Sequence, residues 1–528
     1  MNYSPNQNNR QSYLIDTNIL IDLEDHQVIE EAYASFARLA ASYNINVFVH
    51  EVAKDDIARD NDTQRRKISL SKIHKYQILD KYRDLQCSEL EADFGPLKKD
   101  NDVIDATLLH ALKRNVVDFL VTEDKGLHDR AQKSSLELGR RVLFIADATE
   151  LLRQTYEPQS VPIRDVEEVK AHTIDHKQSF FNSLRDNYPS FDEWWNQKCV
   201  KQHRSCWVVY DNNELAGLVV WKEETGNDTD AVTKVKHILK ICTFKISEDK
   251  RGMKLGELLL KQVLWYTQKN RYDLAYLTTY PGQGSLRSLI EFYGFRNVGE
   301  NQQEELIYER NFASEKLLKK SEEDCFEIDR KNYPRFIVTK ETRGFIIPIK
   351  EKYHDILYPD LYQPFQFNRQ FSQLELFPSQ ASQAQKPGNT IRKVYLCRAP
   401  SNLSDPGSLL FFYKSKSKNP PSQAITVIGI LESMTCATSV KELMQFTGGR
   451  SVYSKTELIN WKASLDKPVK VINYLLVWYI ESPINFQELH QMNIIREHAP
   501  QSIWKISSDA LSKILDRADL RAGLGFKV

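Results

Sequence analysis

The sequence predicts a multidomain α/β protein with more than one sheet and more than one hydrophobic core. Its 528 residues exceed what one core normally spans. Residues 12–152 alternate short apolar runs with helical stretches, which is typical of a parallel sheet. We predict four regions: an N-terminal α/β sheet domain (12–152), a mixed α/β domain (161–312), a connecting segment and linker (313–390) and a C-terminal β-barrel (391–528).

The balance of charged residues and the cysteine pattern limit which partners and which cellular location the sequence predicts. Lys plus Arg (72) nearly balances Asp plus Glu (71), so a nucleic-acid or membrane partner would need a local patch. The seven cysteines are scattered and include no Cys-x-x-Cys, which favours reduced thiols and a cytoplasmic location. No apolar stretch is long enough to span a bilayer, so we expect no membrane partner.

Acidic residues follow the apolar runs of the N-terminal domain. Asp16 comes directly after "YLI", where a buried carboxylate without a partner would be costly. Further acids occupy strand ends or first helical turns: Glu51, Asp102, Asp105 and Asp124. Because the carboxyl ends of parallel strands share one edge, we expect these acids to converge and to bind Mg or Mn. The alternative is that Asp16 and Asp102 are helix N-caps.

These acids carry a family resemblance over about residues 12–150. Asp16-Thr17-Asn18, Glu51, Asp102 and Thr122-Glu123-Asp124-Lys125 resemble the acidic signatures of PIN-domain ribonucleases. The resemblance implies metal-dependent hydrolysis of phosphodiesters, usually in RNA. It also implies that the catalytic metal ligands are Asp16, Glu51, Asp102 and Asp124. Asp105 is an alternative to Asp102 in this set. A degenerate PIN-like fold that does not cleave is a separate possibility.

The mixed domain contains a glycine-bearing turn before a helix, "EDKRGMKLGELLL". Backbone N–H groups at such a helix start form an anion site. Together with "LIEFYGF" downstream, the turn resembles the coenzyme-binding loop of GNAT-type acetyltransferases, and the resemblance covers about 161–312. It implies transfer of an acetyl group from acetyl-CoA to an amine, with the coenzyme held by the loop residues Arg251, Gly252, Lys254 and Gly256.

Two positions depart from the family pattern. Lys254 stands where the loop usually has a glycine, so it either adds a charge for the pyrophosphate or obstructs it with its Cβ. The proton-donating tyrosine of the family falls where Ile290 stands, whereas Tyr293 abuts Gly294. Tyr293 is therefore either the catalytic acid or a packing aromatic. A GNAT-like fold without transfer activity is the alternative for the whole domain.

The C-terminal region has short apolar runs separated by Pro, Gly and Ser turns, preceded by a Gln/Ser-rich linker. The runs "KVYLCRAP", "DPGSLLFFYKS" and "AITVIGILES" resemble the EVE and ASCH members of the PUA-like barrels. That resemblance implies binding of RNA or of modified bases. Phe412, Tyr413 and Trp461 either stack bases or belong to the core.

We therefore expect a ribonuclease coupled to an N-acetyltransferase, with RNA as partner and a role in toxicity or stress. One alternative is a non-cleaving RNA-binding regulator whose acetyltransferase modifies a protein. Another is an acetyltransferase that acts on an RNA base or a charged tRNA.

Overall fold

The computed structural model describes residues 11–24, 31–59, 63–80, 85–156, 166–211, 214–226, 229–250, 254–312, 325–361, 390–418, 420–447, 453, 455–518 and 525–527. The described chain forms two compact units. Of the described residues, unit 1 comprises those up to Tyr156 and those within Cys436–Val471, and unit 2 comprises those within Ser160–Lys250, Lys254–Thr435 and Ile472–Val528. Each unit combines helices with sheet, so the predicted multidomain α/β class is confirmed. No helix within these described ranges is long and apolar enough to cross a membrane.

Unit 1 contains a five-stranded parallel sheet, as the alternating pattern predicts. Its strands are β1 (Ser12–Ile15), β2 (Asn46–His50), β3 (Gln77–Leu79), β4 (Phe119–Val121) and β5 (Val142–Leu143), and their order in the sheet is β3-β2-β1-β4-β5. Its helices are α1 (Thr17–Glu24), α2 (Glu31–Ser42), α3 (Val52–Ala58), α4 (Thr63–Lys72), α5 (Cys87–Phe94), α6 (Asp100–Lys113), α7 (Lys125–Ser134), α8 (Leu136–Arg141) and α9 (Ile145–Tyr156).

The central strand β1 is buried on both faces of the sheet. Tyr13 and Ile15 of β1 belong to one core, and Leu14 between them belongs to another. Successive side chains of a strand point to opposite faces, so this division follows from the strand period. Because β1 and β4 pair in parallel, their carboxyl ends lie at the same edge of the sheet. The polar residues of the predicted site follow immediately after these ends.

Unit 2 contains a seven-stranded sheet. The strands are β6 (Glu167–Lys170), β7 (Ser205–Asp211), β8 (Glu214–Glu224), β9 (Ile238–Ile246), β10 (Leu274–Thr279), β11 (Arg296–Glu300) and β12 (Leu306–Asn311). Their order in the sheet is β11-β12-β10-β9-β8-β7-β6. The helices are α10 (Asn182–Asn187), α11 (Phe191–Trp194), α12 (Leu255–Lys269) and α13 (Gly284–Phe292). The pairing of β9 with β10 is parallel, whereas the other pairings in this sheet are antiparallel.

The C-terminal part of the chain contributes two further sheets. A pair joins β13 (Phe336–Val338) to β20 (Gly525–Lys527). The larger sheet, of order β15-β18-β17-β16-β14-β19, comprises β14 (Gly344–Ile349), β15 (Arg392–Cys397), β16 (Leu409–Lys414), β17 (Ala424–Ala437), β18 (Val469–Asn485) and β19 (Trp504–Ile506). The helices are α14 (Cys325–Asn332), α15 (Glu351–Leu357), α16 (Val440–Thr447), α17 (Lys455–Asn460), α18 (Phe486–Gln491) and α19 (Ser508–Arg517).

This C-terminal sheet differs from the sequence prediction in three respects. Its order has two ends, β15 and β19, so backbone pairing among the described strands does not close a barrel. The strand β14 lies in the predicted connecting segment 313–390, yet it pairs with β16 along its whole length. Phe412 and Tyr413 are fully buried, which favours the core alternative over base stacking. The Gln/Ser-rich linker at 370–389 lies outside the described residues.

The segment that connects β17 to β18 and carries α16 and α17 belongs to unit 1 rather than to the C-terminal sheet. Within unit 1, Lys441 Nζ of α16 lies 3.3 Å from Asp118 Oδ2. Asp118 also accepts hydrogen bonds from the backbone N and the hydroxyl of Ser12, at the amino end of β1. The helix α16 therefore adjoins the edge of the parallel sheet opposite the one that carries Asp16.

Gly294 allows close packing inside unit 2, and replacing it should be severe. It has φ +88°, and an added Cβ would lie 2.0 Å from the Lys331 carbonyl oxygen of α14. We expect Gly294→Ala to lower the free energy of unfolding by more than about 2 kcal/mol, because the left-handed backbone and the contact both oppose a side chain. Urea denaturation measures this. Gly282→Ala is the control, since its Cβ meets nothing within 4 Å. Equal urea midpoints for the two variants would contradict the packing role.

Candidate functional site

Asp16 is held at the end of β1 by three donors. Its Oδ1 accepts a hydrogen bond from the Thr17 backbone N (2.7 Å), and its Oδ2 accepts from Thr122 Oγ1 (2.6 Å) and Asn18 Nδ2 (3.1 Å). These bonds favour the ionised carboxylate, but burial outweighs them and raises the pKa of Asp16 to about 6. The structure thus fixes the carboxylate while leaving its charge poorly solvated.

Two further carboxylates share the electrostatic environment of Asp16. Burial raises the pKa of Asp105 to about 7, and the negative charges of Asp124 and Asp16 add to this rise. Asp124 caps α7, because its Oδ1 accepts from the backbone N of Gly126 (2.6 Å) and Leu127 (3.2 Å). Asp16, Asp105 and Asp124 therefore form an acidic cluster at the carboxyl edge of the sheet, and we call it the carboxylate cluster.

Asp102 has local partners that differ from its predicted role. Its Oδ2 accepts from the backbone N of Lys98 (2.8 Å) and Lys99 (2.9 Å), and Arg130 of α7 lies 2.8 Å from its Oδ1. The two backbone bonds and the Arg130 guanidinium lower the pKa of Asp102. Asp102 is therefore not the N-cap of α6, which is Lys99, but its side chain caps the backbone of that N-cap residue from the first turn of the helix. Asp105 is the residue of α6 that shares the environment of Asp16.

The sequence reasoning chose Glu51 in the next loop and missed Asp56. Glu51 is exposed at the start of α3. Asp56, which is half-buried, contributes to the raised pKa of Asp16. The helical period could have predicted the position of Asp56. It lies four residues after the buried Val52 and therefore on the inner face of α3.

The carboxylate cluster suits a hydrated ion better than a closed cage. Within the described residues, no three acidic, His or Cys side chains are arranged so that they could ligate one metal directly. Mg²⁺ commonly keeps several waters and binds through one or two carboxylates. The raised pKa values of Asp16 and Asp105 reflect charge that a divalent cation would neutralise. The residues present are therefore compatible with Mg²⁺ or Mn²⁺.

A cleft opens in unit 2 where two parallel strands diverge. The pairing of β10 with β9 runs from Leu274 with Ile238 to Leu277 with Ile241 and then stops. Beyond that point β9 continues beside β8 alone, and β10 continues beside β12 alone. Each of residues 242–246 is partly exposed, although β9 is a central strand of the sheet. The divergence therefore leaves a cleft between the second half of β9 and the end of β10.

A bulge lies at the apex of this cleft. In the pairing with β8, Val220 pairs with Thr243 and Trp221 with Ile241, so Cys242 has no partner strand residue. The pairing with β10 has also ended there, which leaves the Cys242 backbone outside both ladders. Burial raises the pKa of the Cys242 thiol, and its Sγ lies 3.4 Å from a guanidinium nitrogen of Arg204.

The predicted coenzyme loop is described only at its end. Arg251 and Gly252 lie outside the described residues. Lys254 precedes α12 with φ +59°, a left-handed conformation that suits the glycine of the family pattern. An added Cβ at Gly256 would lie 3.1 Å from Leu289 Cδ2, so Gly256 also permits close packing of α12 on α13.

The backbone at Lys254 gives a direct prediction. Replacing a non-glycine residue at positive φ by glycine removes backbone strain of about 1–2 kcal/mol, and the added freedom of the unfolded chain offsets part of it. We expect Lys254→Gly to raise the free energy of unfolding by about 0.5–1 kcal/mol. Thermal and urea denaturation measure this. A loss of stability would show that the Lys254 side chain contributes more than its backbone costs.

Tyr293 lies in the interior of unit 2. Its side chain is only 1 % exposed, and its ring centroid lies 5.0 Å from that of Phe292 and 5.9 Å from that of Tyr333. Ile290, at the position of the family tyrosine, is also fully buried. This environment favours the packing alternative for Tyr293.

Comparison with known proteins identifies the class of the mixed domain. Residues 167–338 match the family model described as the acetyltransferase (GNAT) domain. The chain therefore contains a GNAT acetyltransferase domain, which confirms that part of the sequence prediction. The PIN-like and PUA-like assignments stay predictions.

Comparison with solved structures finds similarities of low TM-score. ASCH from Zymomonas mobilis has 12% identity, covers 33% of this chain and 94% of its own, and has a TM-score of 0.23. The PaiA N-acetyltransferase from Thermoplasma acidophilum, in complex with coenzyme A, has 11% identity, covers 29% and 100%, and has a TM-score of 0.23. A GNAT family acetyltransferase from Elizabethkingia anophelis with acetyl-CoA bound has 15% identity, covers 28% and 98%, and has a TM-score of 0.21. No curated protein matches the chain.

Proposed function

We propose that the mixed domain transfers an acetyl group from acetyl-CoA to an amine. The observation that carries this proposal is the cleft between β9 and β10, which opens after Ile241 and Leu277. A cleft between two diverging parallel strands accepts an extended ligand arm between backbones whose hydrogen-bonding groups on the two facing sides have no strand partner. The GNAT family match over residues 167–338 supports the same activity.

Two groups of the chain would bind different parts of acetyl-CoA along this cleft. The bulge at Cys242 offers backbone polar groups at the apex, where a thioester carbonyl needs a hydrogen-bond donor as its oxygen gains charge. The start of α12, a helix of 15 residues beginning after Lys254, offers backbone N–H groups and a positive charge to a pyrophosphate. The amine nitrogen then attacks the carbonyl carbon, and coenzyme A leaves as the thiol.

Transfer of labelled acetyl tests the proposal. Purified protein is incubated with radiolabelled acetyl-CoA and total cellular extract that has been separated into protein, RNA and small-molecule fractions. We expect label in an amide that resists hydroxylamine, in one of these fractions. Label in none of them, with protein that remains folded, would contradict the proposed acetyl transfer. The fraction that is labelled also separates a protein acceptor from an RNA base or a charged tRNA.

A second activity, metal-dependent cleavage of RNA, is favoured by the carboxylate cluster. Asp16, Asp105 and Asp124 lie at the carboxyl edge of a parallel sheet, and the pKa values of Asp16 and Asp105 are raised. When bound there, Mg²⁺ or Mn²⁺ would supply an activated water and neutralise phosphodiester charge. Mixed cellular RNA incubated with either ion should be cleaved, and EDTA should prevent the cleavage. Intact RNA with both ions present would contradict this activity.

RNA recognition by the C-terminal region is supported by a polar groove within unit 2. The groove has a volume of about 470 Å³, and its lining includes Lys340, Lys505 and Ser508 at the start of α19. Arg343, which is ion-paired with Asp405, and Glu341 also line it. Exposed lysines and a helix start of this kind suit phosphate oxygens. We expect the double variant Lys340→Glu, Lys505→Glu to bind RNA more weakly and with a smaller salt dependence. Unchanged binding would remove the groove from the RNA site.

A further inference from the structure

Two tyrosines and a glutamate lie together at the open end of the acetyltransferase cleft. Tyr280 directly follows β10, and Glu305 directly precedes β12. Because Thr279 pairs with Leu306, Tyr280 and Glu305 are neighbours just beyond that pair. The Tyr188 hydroxyl donates to Glu305 Oε1 at 3.0 Å, and the rings of Tyr188 and Tyr280 lie 5.3 Å apart. We call these three residues the acceptor cluster.

The helix α10 connects the two sides of the cleft. On the β9 side, Lys245 Nζ donates to Ser183 Oγ of α10. On the β10 side, Tyr188 at the end of α10 contacts Tyr280 and Glu305. The helix therefore crosses the diverging strands, and the acceptor cluster lies at the β10 end of this crossing. The start of α12, where we propose the coenzyme phosphates bind, follows the other strand, β9.

The cluster presents negative charge without an internal cation. Glu305 Oε1 accepts from Tyr188, and its Oε2 accepts from Asn301 Nδ2 at 2.9 Å. Both donors are neutral, and no ion pair with Glu305 occurs in the part of the chain that the structure describes. Burial and the charge of Glu305 raise the pKa of Tyr188, which keeps its hydroxyl protonated as a donor. All three side chains are half-buried, so each keeps a solvent-accessible part.

We infer that the acceptor cluster selects the amine: it binds a primary alkylammonium group through the Glu305 carboxylate and the two tyrosine rings. A carboxylate with aromatic faces beside it is the combination that favours such a cation. This inference rests on the proposed acetyl transfer. The reaction is balanced as R–NH₃⁺ plus acetyl-S-CoA giving R–NH–CO–CH₃, CoA-SH and one proton, with formation of the C–N bond and cleavage of the C–S bond. The alkylammonium comes either from a lysine side chain or from a free diamine.

The test compares Glu305→Gln with the matched control Glu304→Gln. Glutamine keeps the size and the acceptor oxygen but removes the charge, and Glu304 is exposed next to the cluster in sequence. Acceptors are a lysine-containing peptide, 1,5-diaminopentane and aniline, which is uncharged at neutral pH. We expect Glu305→Gln to raise KM for the charged acceptors at least tenfold, with KM for acetyl-CoA unchanged. Calorimetry should show the same weakening for 1,5-diaminopentane or peptide added to the CoA complex, and Glu304→Gln should match the parent.

Tyr280→Leu provides an independent variant, since it removes one ring and leaves Glu305 in place. It should raise KM for charged acceptors several-fold without affecting aniline. Activity with the peptide alone or with the diamine alone supports the inference and identifies the source of the amine. If the parent binds CoA but neither binds nor acetylates a charged amine, or if both variants keep the parent KM, the inference is wrong. Failure of the parent to bind CoA would instead refute the proposed acetyl transfer.

Discussion

Removing residues 391–528 should abolish CoA binding and leave the acetyltransferase domain unfolded. The seven-stranded sheet and the C-terminal strands belong to one compact unit. The backbone N of Arg392 in β15 donates to Glu257 Oε1 of α12 at 2.7 Å. Glu257 is buried two residues after the start of α12. The helix that we propose binds the coenzyme phosphates is thus fixed directly to the first strand that the truncation removes.

Aromatic contacts add to the expected loss. The ring of Trp265 in α12 lies 5.0 Å from that of Trp478 in β18, and its Nε1 donates to the Tyr333 hydroxyl at 2.6 Å. That hydroxyl in turn donates to the Leu476 carbonyl at 2.7 Å. Uncovering a buried aromatic side chain costs roughly 1.5–3 kcal/mol. Several such losses would remove most of the roughly 5–15 kcal/mol that typically stabilises a whole domain.

Circular dichroism and calorimetry on the truncated chain (1–390) measure this outcome. Tyr333→Phe is the milder companion, because it leaves the Trp265 N–H and the Leu476 carbonyl without this partner. It should cost about 1–3 kcal/mol while CoA binding is retained. A truncated chain that folds cooperatively and binds CoA as the full chain does would show that the C-terminal sheet is an independent module.

Asp16→Asn should abolish metal-dependent RNA cleavage and at the same time stabilise unit 1. The substitution removes one charge from the carboxylate cluster with little change in volume. Burial raises the pKa of Asp16 from 3.8 to about 6, so folding opposes its ionised form. A rise of this size corresponds to about 3 kcal/mol at neutral pH, using about 1.36 kcal/mol for each pKa unit.

The pH dependence of this stabilisation distinguishes it from a packing effect. Below about pH 4 the carboxyl is protonated in both the folded and the unfolded chain, so the parent and the Asp16→Asn variant should be equally stable in EDTA. Between about pH 4 and pH 6 the unfolded chain ionises first, and the parent loses stability as the pH rises. Above that range the difference should be complete. A gain that is the same at every pH would contradict the electrostatic cause.

Asp102→Asn is the matched control for the cleavage assay. Asp102 is bound by the backbone of Lys98 and Lys99 and by Arg130, so we expect this variant to keep metal-dependent cleavage and to lose stability. Asp105→Asn should behave like Asp16→Asn. If Asp102→Asn abolishes cleavage and Asp105→Asn does not, the cluster has been assigned to the wrong residue of α6.

The acidic edge was predictable from the sequence because its signals are local. An acid that directly follows a buried strand, as Asp16 follows β1, must lie at the carboxyl end of that strand. The choice between Asp102 and Asp105 was not predictable in this way. Both lie in the first turns of α6, and the choice depends on Arg130 of α7, which binds Asp102 from 28 residues away. The same limit applies to Asp56, whose role depends on how α3 packs.

The C-terminal organisation was the least predictable part of the fold. The strand β14 reads as part of a connecting segment because its partner β16 lies far along the chain, beyond a Gln/Ser-rich stretch. The helix α16, between β17 and β18, has the sequence of an ordinary amphipathic helix. No residue pattern within it indicates that it packs in unit 1. The GNAT domain was predictable because two local motifs occur in the order typical of that family. They are the glycine-bearing turn that precedes α12 and, downstream, the stretch "LIEFYGF" that includes Gly294.

Isothermal titration of CoA into the 528-residue chain measures whether the acetyltransferase cleft binds the coenzyme. We expect one CoA site per chain. We also expect Lys254→Glu to weaken binding at least tenfold, because the change reverses the charge at the start of α12. Lys236→Glu, the same change at an exposed position before β9, should bind CoA like the parent. Absence of CoA binding by the folded parent, or equal affinities for the two charge-reversal variants, would contradict the assignment of this cleft to acetyl-CoA.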